Sequence, residues 1–191
     1  MRRGALRVTV AAVPDREMTM RDVRDFLSML DRLGIAIWLD GGWAVDALLG
    51  NQTRRHSDLD IVIEGRNVEP AVAALDERGY GPVLRDDTRP WNFVLGDDSG
   101  HEVDFHVVVL DAHGDGIYGP PENGERYPAE ALAGTGVVSG RRVRCITAEW
   151  LVRFHTGYAV DEEDWADVSA LCERFGLTVP RDYERFEHSR R

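Results

Sequence analysis

The stretch that decides the fold lies between residues 35 and 63 and reads IAIWLDGGWAVDALLGNQTRRHSDLDIVI. Its first part, Ile35 to Leu39, is rich in branched and aromatic residues, which predicts a buried strand that ends at Asp40-Gly41-Gly42. Trp43 to Leu49 predicts a short helix, which Gly50 would end. Asp58 to Ile63 then alternates between polar and apolar residues, as a half-buried strand does. This order of elements predicts an α/β domain.

Helical and strand patterns continue on both sides of this stretch. The further predicted elements are an amphipathic helix from Thr19 to Gly34, a helix from Glu69 to Gly79, a hairpin of Trp91–Gly96 with His101–Leu110, a hairpin over Val137–Cys145, and helices over residues 150–158 and 165–175. Between Asp111 and Gly136 the chain is rich in glycine and proline and has little periodicity. Such a segment predicts a long functional loop that is mobile until a ligand binds.

These patterns predict an α/β (α+β) fold, in which a mixed sheet is flanked by helices and followed by a helical C-terminal part. Residues 1–17 would be an N-terminal extension, and residues 18–112 would form the core. Residues 113–191 would be loop-rich and helical and would pack on that core.

Composition excludes several classes of function. The chain has 191 residues, with 34 acidic and 23 basic ones, and its formal charge of −11 opposes binding to a nucleic-acid backbone. All its basic residues are arginine, so lysine-dependent phosphate loops and Schiff bases are excluded. The two cysteines are too few for a disulfide scaffold. Apolar runs are too short for a membrane span or a signal peptide, which predicts a cytoplasmic location.

Acidic side chains coincide on the faces of two predicted strands. Asp58 and Asp60 share one face because alternate strand residues point the same way. Glu102, Asp104 and His106 share a face of the later strand for the same reason. Adjacent carboxylates repel each other, and a divalent cation such as Mg²⁺ relieves that repulsion. A third carboxylate would join the pair if the two strands are neighbours, although each group alone is compatible with a solvated strand face.

A glycine pair stands between the first strand and its helix. Gly41 and Gly42 lack side chains and precede the helix, so backbone N–H groups there could approach a phosphate. A plain tight turn explains a lone Gly-Gly equally well. The chain contains none of the common nucleotide-binding or nucleophile fingerprints.

Taken together, these motifs resemble the polymerase-β-like nucleotidyltransferase superfamily. The runs WLDGGWAVDALLG (residues 38–50) and TRRHSDLD (residues 53–60) are similar to those of small lincosamide and aminoglycoside nucleotidyltransferases. EVDFH (residues 102–106), CITAE (residues 145–149) and RFHTGY (residues 153–158) resemble the lincosamide enzymes in particular. The resemblance spans residues 20–176.

The resemblance implies transfer of a nucleoside monophosphate, usually AMP from ATP, to a hydroxyl of a lincosamide antibiotic. Asp58 and Asp60 would hold magnesium at the triphosphate, and Asp104 would be either a third metal ligand or the base for the hydroxyl. The residues implied at the phosphates are Gly41, Gly42 and Ser57, assisted by Arg54, Arg55 or His56.

Alternatives stay open at this point. An aminoglycoside is the second candidate acceptor, and its polycationic character suits the negative charge of the chain. A non-catalytic, antitoxin-like protein is a candidate from another class, although three retained acids argue against a degenerate site. Weaker candidates for substrate contacts are Glu102, His106, Trp91 and Tyr158, for which packing is an alternative. Expected partners are the antibiotic and the nucleoside triphosphate, without nucleic acid or membrane, and a homodimer stays open.

Overall fold

The computed structural model describes residues 17–187, which form six α-helices and nine strands. The helices are α1 (Met20–Arg32), α2 (Gly41–Leu49), α3 (Val68–Asp76), α4 (Ala148–Phe154), α5 (Glu162–Phe175) and α6 (Glu184–Glu187). The strands are β1 (Ile37–Leu39), β2 (Asp58–Glu64), β3 (Gly81–Val83), β4 (Asn92–Gly96), β5 (Glu102–Leu110), β6 (Gly116–Tyr118), β7 (Arg126–Tyr127), β8 (Gly134–Val138) and β9 (Arg141–Cys145). The predicted combination of a sheet with helices and a helical C-terminal part is confirmed.

All nine strands belong to one mixed sheet. The order along its main path is β3-β4-β5-β2-β1-β9-β8, while β6 pairs with β5 and β7 with β6. The pairs β2–β5 and β1–β9 are parallel, and the other pairs are antiparallel. The sheet therefore continues past residue 112, since β8 and β9 lie beside β1.

The parallel pairing of β2 with β5 brings the two acidic strand faces together. Asp58 is opposite Glu102, Asp60 is opposite Asp104, and Val62 is opposite His106. Paired residues project to the same side of a sheet. The two groups of acids that the sequence placed on separate strands therefore lie on one face.

Alternate residues of the same strands form the core. Leu59, Ile61, Val103 and Phe105 are fully buried, and their apolar surface supplies the main favourable free energy of folding. The sheet thus has an acidic side and a buried apolar side, and on the apolar side a Cβ added at Gly136 of β8 would meet Ala47 of α2. Both cysteines are buried free thiols, as expected for core residues.

The ends of the early elements follow the sequence signals. Thr19 caps α1 in a reciprocal capping box with Asp22, which satisfies backbone N–H groups at the start of the helix. Asp40 caps α2, and Gly50 ends that helix with a φ of 80°, a value that favours glycine.

Two predictions on the later elements were wrong, and one strand was not predicted. The segment expected to be one long loop contains β6, β7 and the start of β8, because β5 is long enough to pair with β6 beyond the end of β4. The helix expected over residues 150–158 ends at Phe154, and Tyr158 lies in the following loop. The strand β3 was not predicted, since its three residues include a proline.

The N-terminal extension predicted over residues 1–17 lies outside the described residues, apart from Glu17. Within residues 17–187, no helix combines the length and apolar composition that crossing a membrane requires.

Candidate active site

An acidic cluster lies at the centre of the sheet, where β2 and β5 pair. One ligand atom each from Asp60, Asp104 and His106 lies within 4.8 Å of the others. The Nε2 atom of His106 is 3.9 Å from Oδ1 of Asp60. The carboxylates of Asp60 and Asp104 are close enough at this spacing to share a divalent cation.

Asp104 shows that the cluster is suited to a cation. Its Oδ1 atom is buried and has no hydrogen-bond partner among the described residues, and an unsatisfied buried carboxylate oxygen is costly. Burial and the negative charges of Asp60 and Asp87 raise the pKa of Asp104 to about 6. A bound cation would remove both costs, so the donor set fits the magnesium that the resemblance implies.

Asp58 lies on the same face, two residues before Asp60 on β2. Burial raises the pKa of Asp58 to about 6, with the charges of Asp60 and Asp104 adding to the effect. Asp58 is not among the three residues of the tightest cluster. Asp58 therefore lies beside this cluster, close enough to interact electrostatically with Asp60 and Asp104.

His106 partly balances the carboxylates. Burial by itself lowers the pKa of this imidazole, but the nearby carboxylates of Asp60, Asp40 and Asp104 outweigh burial and raise the pKa to about 9. The protonated ring therefore offsets part of the negative charge of the site at neutral pH.

Asp40 is a site residue that the sequence analysis did not include among its candidates. The residue is 8% exposed, and its carboxylate accepts hydrogen bonds from the backbone N–H of Gly41 at 2.9 Å and from the hydroxyl of Tyr127 at 2.9 Å. Its own N–H donates to the carbonyl of Asp60. Burial raises the pKa of Asp40. Its position as the last residue before the glycine pair was the available signal.

The glycine pair allows the start of α2 to approach the acids. A Cβ added at Gly41, whose φ is +52°, would lie 2.1 Å from Oδ2 of Asp60. A Cβ at Gly42 would lie 2.5 Å from Nδ1 of His56 and 2.7 Å from Nη2 of Arg54. Any side chain here would displace a site residue, so both positions require glycine. The N–H groups at the start of α2 consequently lie beside Asp60.

Arg54 and His56, expected at the phosphates, have protein partners. Arg54 donates to both carboxylate oxygens of Asp167 on α5, at 2.9 to 3.3 Å. His56 is buried, and its Nε2 lies 2.6 Å from Oδ2 of Asp46 on α2. These side chains tie the loop before β2 to two helices, while both still border Gly42.

The other predicted residues near the start of β2 are less enclosed. Ser57 is exposed immediately before β2. Arg55 pairs with Glu17 at 2.8 Å. Glu102 shares the acidic face but pairs with Arg85 at 2.6 Å, so part of its charge is already balanced.

Two aromatic candidates have different surroundings. Trp91 packs against Gly119, where an added Cβ would lie 2.8 Å from its Nε1, and it therefore supports the end of β6 near the cluster. Tyr158 is 50% exposed, and its hydroxyl donates to Asp164 at 2.8 Å. Within the described part of the chain, no hydrogen bond joins Tyr158 to the acidic cluster.

Comparison with known proteins finds two kinds of similar enzyme and resistance protein. A lincosamide resistance protein of Staphylococcus haemolyticus is 27% identical over 157 residues, which cover 82% of this chain and 96% of that protein. A 2''-aminoglycoside nucleotidyltransferase of Escherichia coli is 29% identical over 149 residues, covering 75% of this chain and 77% of that protein.

Solved structures show the same fold. The lincosamide antibiotic adenylyltransferase LnuA, in its lincomycin-bound structure, superposes with a TM-score of 0.71 at 28% identity over 81% of this chain and 97% of that chain. ANT(2'')-Ia, in complex with adenylyl-2''-tobramycin, superposes with a TM-score of 0.67 at 22% identity over 82% of this chain and 89% of that chain.

The family model described as aminoglycoside-2''-adenylyltransferase matches residues 22–171. That range includes the glycine pair, the strands β2 and β5, and every residue of the acidic cluster. The chain therefore belongs to the aminoglycoside-2''-adenylyltransferase family of nucleotidyltransferases.

Proposed function

We propose that this protein transfers AMP from ATP to a hydroxyl of a lincosamide antibiotic, with pyrophosphate as the leaving group. The observation that carries the proposal is the convergence of Asp60 and Asp104, with Asp58 beside them, on the sheet face that the start of α2 adjoins. A relative that this chain covers almost completely is a lincosamide resistance protein.

The backbone N–H groups at the start of α2 would bind the phosphates, since helix N-termini favour anions. Asp58, Asp60 and Asp104 would hold Mg²⁺, which when bound neutralises charge on the attacked phosphorus and the leaving group. The unpartnered Oδ1 of Asp104 supports this assignment. Ser57, exposed next to Asp58, is available to the same phosphates.

Asp104 has two compatible roles. It is a metal ligand if its unpartnered oxygen faces the cation, and it is the general base if that oxygen accepts the proton of the attacking hydroxyl. Its raised pKa suits a base, because a carboxyl with a pKa of about 6 is a stronger proton acceptor than an ordinary one.

An aminoglycoside is the second candidate acceptor. The matching family model and the relative that is 29% identical support it, and the net charge of −11 attracts a polycation. The lincosamide remains the first candidate because the chain covers 96% of the lincosamide relative and 77% of the aminoglycoside relative.

A non-catalytic role is the candidate from another class. A binding module has no need to keep half-buried carboxylates that repel one another. The cost of assembling Asp58, Asp60 and Asp104 therefore favours the enzyme. A cytoplasmic location, where ATP is available, is part of the same proposal.

A pyrophosphate-release assay tests the proposal. Purified protein is incubated with Mg²⁺ and each nucleoside triphosphate in turn, with lincomycin, with tobramycin, or without an acceptor. We expect acceptor-dependent release with ATP and lincomycin, together with a product heavier by one AMP unit in mass spectrometry. Release with tobramycin but not with lincomycin would identify an aminoglycoside, and not a lincosamide, as the acceptor. The absence of any acceptor-dependent product would contradict the enzymatic proposal.

A further inference from the structure

A group of aromatic rings adjoins the acidic cluster on the side of β6 and β7. The ring centroids of His106 and Tyr118 are 5.9 Å apart, those of Tyr118 and Tyr127 are 5.8 Å apart, and those of Tyr127 and Phe154 are 5.2 Å apart. Spacings of this size are typical of packed aromatic pairs. The rings therefore connect the acidic cluster to α4 through the hairpin of β6 and β7, here called the tyrosine hairpin.

Hydrogen bonds fix both tyrosines at the site. The hydroxyl of Tyr118 donates to Oδ1 of Asn92 at 2.8 Å and lies 3.5 Å from Nδ1 of His106. The hydroxyl of Tyr127 donates to Oδ2 of the buried Asp40 at 2.9 Å. Since Asp40 also caps α2, a single hydrogen bond joins the tyrosine hairpin to the helix proposed to bind phosphate.

Packing adds a further constraint on the hairpin. Gly119 directly follows Tyr118 and has a φ of +72°. An added Cβ there would lie 2.8 Å from the indole of Trp91. Tyr118 itself is half-buried, whereas Tyr127 is buried. The hairpin is thus anchored by Tyr127 and Trp91, while Tyr118 stays partly accessible.

The sheet order decides which reactant faces this hairpin. In the sheet, β2 lies between β1 and β5. The helix α2 follows β1, whereas β4 and β6 pair with the edge of β5 that faces away from β2. In nucleotidyl transfer, the attacking and leaving oxygens lie roughly in line on opposite sides of the phosphorus. If the phosphates lie at the start of α2, the acceptor approaches from the side of Tyr118.

We infer that Tyr118 is a specificity-determining residue of the acceptor site, and that Tyr127, through its hydrogen bond with Asp40, is a positioning residue that holds Tyr118 there. The inference rests on the proposed function. The ring of Tyr118 offers an apolar face to a ring-containing acceptor, and this contact favours an acceptor with apolar surface over a polycation.

Binding measurements test the inference without requiring turnover. Calorimetric titrations of lincomycin and of tobramycin are made in Mg²⁺ and a non-hydrolysable ATP analogue, and the analogue is also titrated alone. For Tyr118→Ala we expect the Kd of lincomycin to rise about tenfold or more, as loss of an aromatic contact predicts. The Kd of tobramycin should rise less than threefold, and the Kd of the analogue should not change.

Tyr127→Phe removes only the hydroxyl. We expect the Kd of lincomycin to rise about fivefold, as loss of one hydrogen bond predicts, with no change in the Kd of the analogue. Tyr183→Phe is the matched control, because the buried hydroxyl of Tyr183 donates to the carbonyl of His155 at 2.6 Å in the C-terminal part. The control should leave both dissociation constants unchanged.

The outcomes separate the inference from the proposed function. Wild-type affinity for lincomycin in Tyr118→Ala and Tyr127→Phe would overturn the inference alone. An equal loss of affinity for lincomycin and tobramycin in Tyr118→Ala would overturn its role in specificity. If the wild type binds neither antibiotic, the proposed function fails, and the inference fails with it.

Discussion

Asp58 and Asp60 have opposite consequences for activity and for stability. As proposed metal ligands they are needed for transfer, but without a cation they repel each other and Asp104. Each of Asp58→Asn and Asp60→Asn should therefore reduce Mg²⁺-dependent transfer by at least about a hundredfold, as for loss of a metal ligand, while the protein stays folded. Pyrophosphate release and circular dichroism measure the two properties. Folded variants that both keep their activity would refute the metal assignment.

The pH dependence of stability provides a separate measurement on Asp58. The pKa of Asp58 is about 6 in the folded protein and 3.8 in the unfolded chain. The protonated carboxyl therefore contributes stability below about pH 3.8, and this contribution is lost as the pH rises through about 6. Asp58→Asn should therefore unfold like the wild type near pH 4. At pH 7.5 without Mg²⁺ it should be more stable by about 2 kcal/mol. Urea unfolding at several pH values checks this, and a gain that is equal at both pH values would argue against it.

Asp104→Asn separates the two roles of that residue. If Asp104 is chiefly the base, the variant should bind Mg²⁺-ATP nearly normally and lose transfer most severely at low pH. If it is chiefly a metal ligand, nucleotide affinity should fall and added Mg²⁺ should restore part of the activity. The measurement is ATP binding at several Mg²⁺ concentrations beside a pH profile of turnover. Near-normal turnover throughout would remove Asp104 from the mechanism.

Among the elements, the loop before β2 is held in place by contacts with α5. Arg54 donates to both oxygens of Asp167, whose side chain is 3% exposed, whereas its second partner Glu163 is 73% exposed. Asp167→Asn should destabilise the protein by about 2 kcal/mol, as loss of a buried charge-assisted hydrogen bond predicts. The matched change Glu163→Gln should cost less than about 1 kcal/mol. Urea unfolding compares them, and equal costs would contradict this description.

The tyrosine hairpin belongs to the segment that we expect to become more ordered on binding. Hydrogen–deuterium exchange of residues 116–127 should slow at least severalfold when lincomycin is added to the complex with Mg²⁺ and the ATP analogue, because the acceptor would cover Tyr118. Exchange in α1, on another part of the fold, should not change. If exchange in the hairpin is the same with and without saturating lincomycin, the hairpin does not contact the acceptor.

At the scale of the whole molecule, the net charge of −11 should distinguish the two acceptors. Tobramycin carries several protonated amines and lincomycin a single one, so salt should screen the attraction of tobramycin more strongly. Between about 50 and 300 mM NaCl, the Kd of tobramycin should rise at least several times more than that of lincomycin. Calorimetry at several salt concentrations measures both values. Equal slopes would show that the overall charge has no part in acceptor choice.

The sequence by itself determined most of the local elements and the strand faces on which the acidic residues lie. Period-two alternation placed Asp58 with Asp60 and Asp104 with His106, because a strand turns alternate side chains to one face. The glycine pair marked the start of α2, since only glycine leaves room for a close approach. These signals depend on neighbours in the chain, which are visible without the fold.

Only the tertiary structure decided which partners these residues have. The parallel pairing of β2 with β5 joined the acids, and no local pattern states which strands are neighbours. Arg54 and Tyr127 depend on residues more than eighty positions away, Asp167 and Asp40. A hydrogen bond between residues so distant follows from how the sheet and helices pack, because local periodicity carries no information about which distant elements meet.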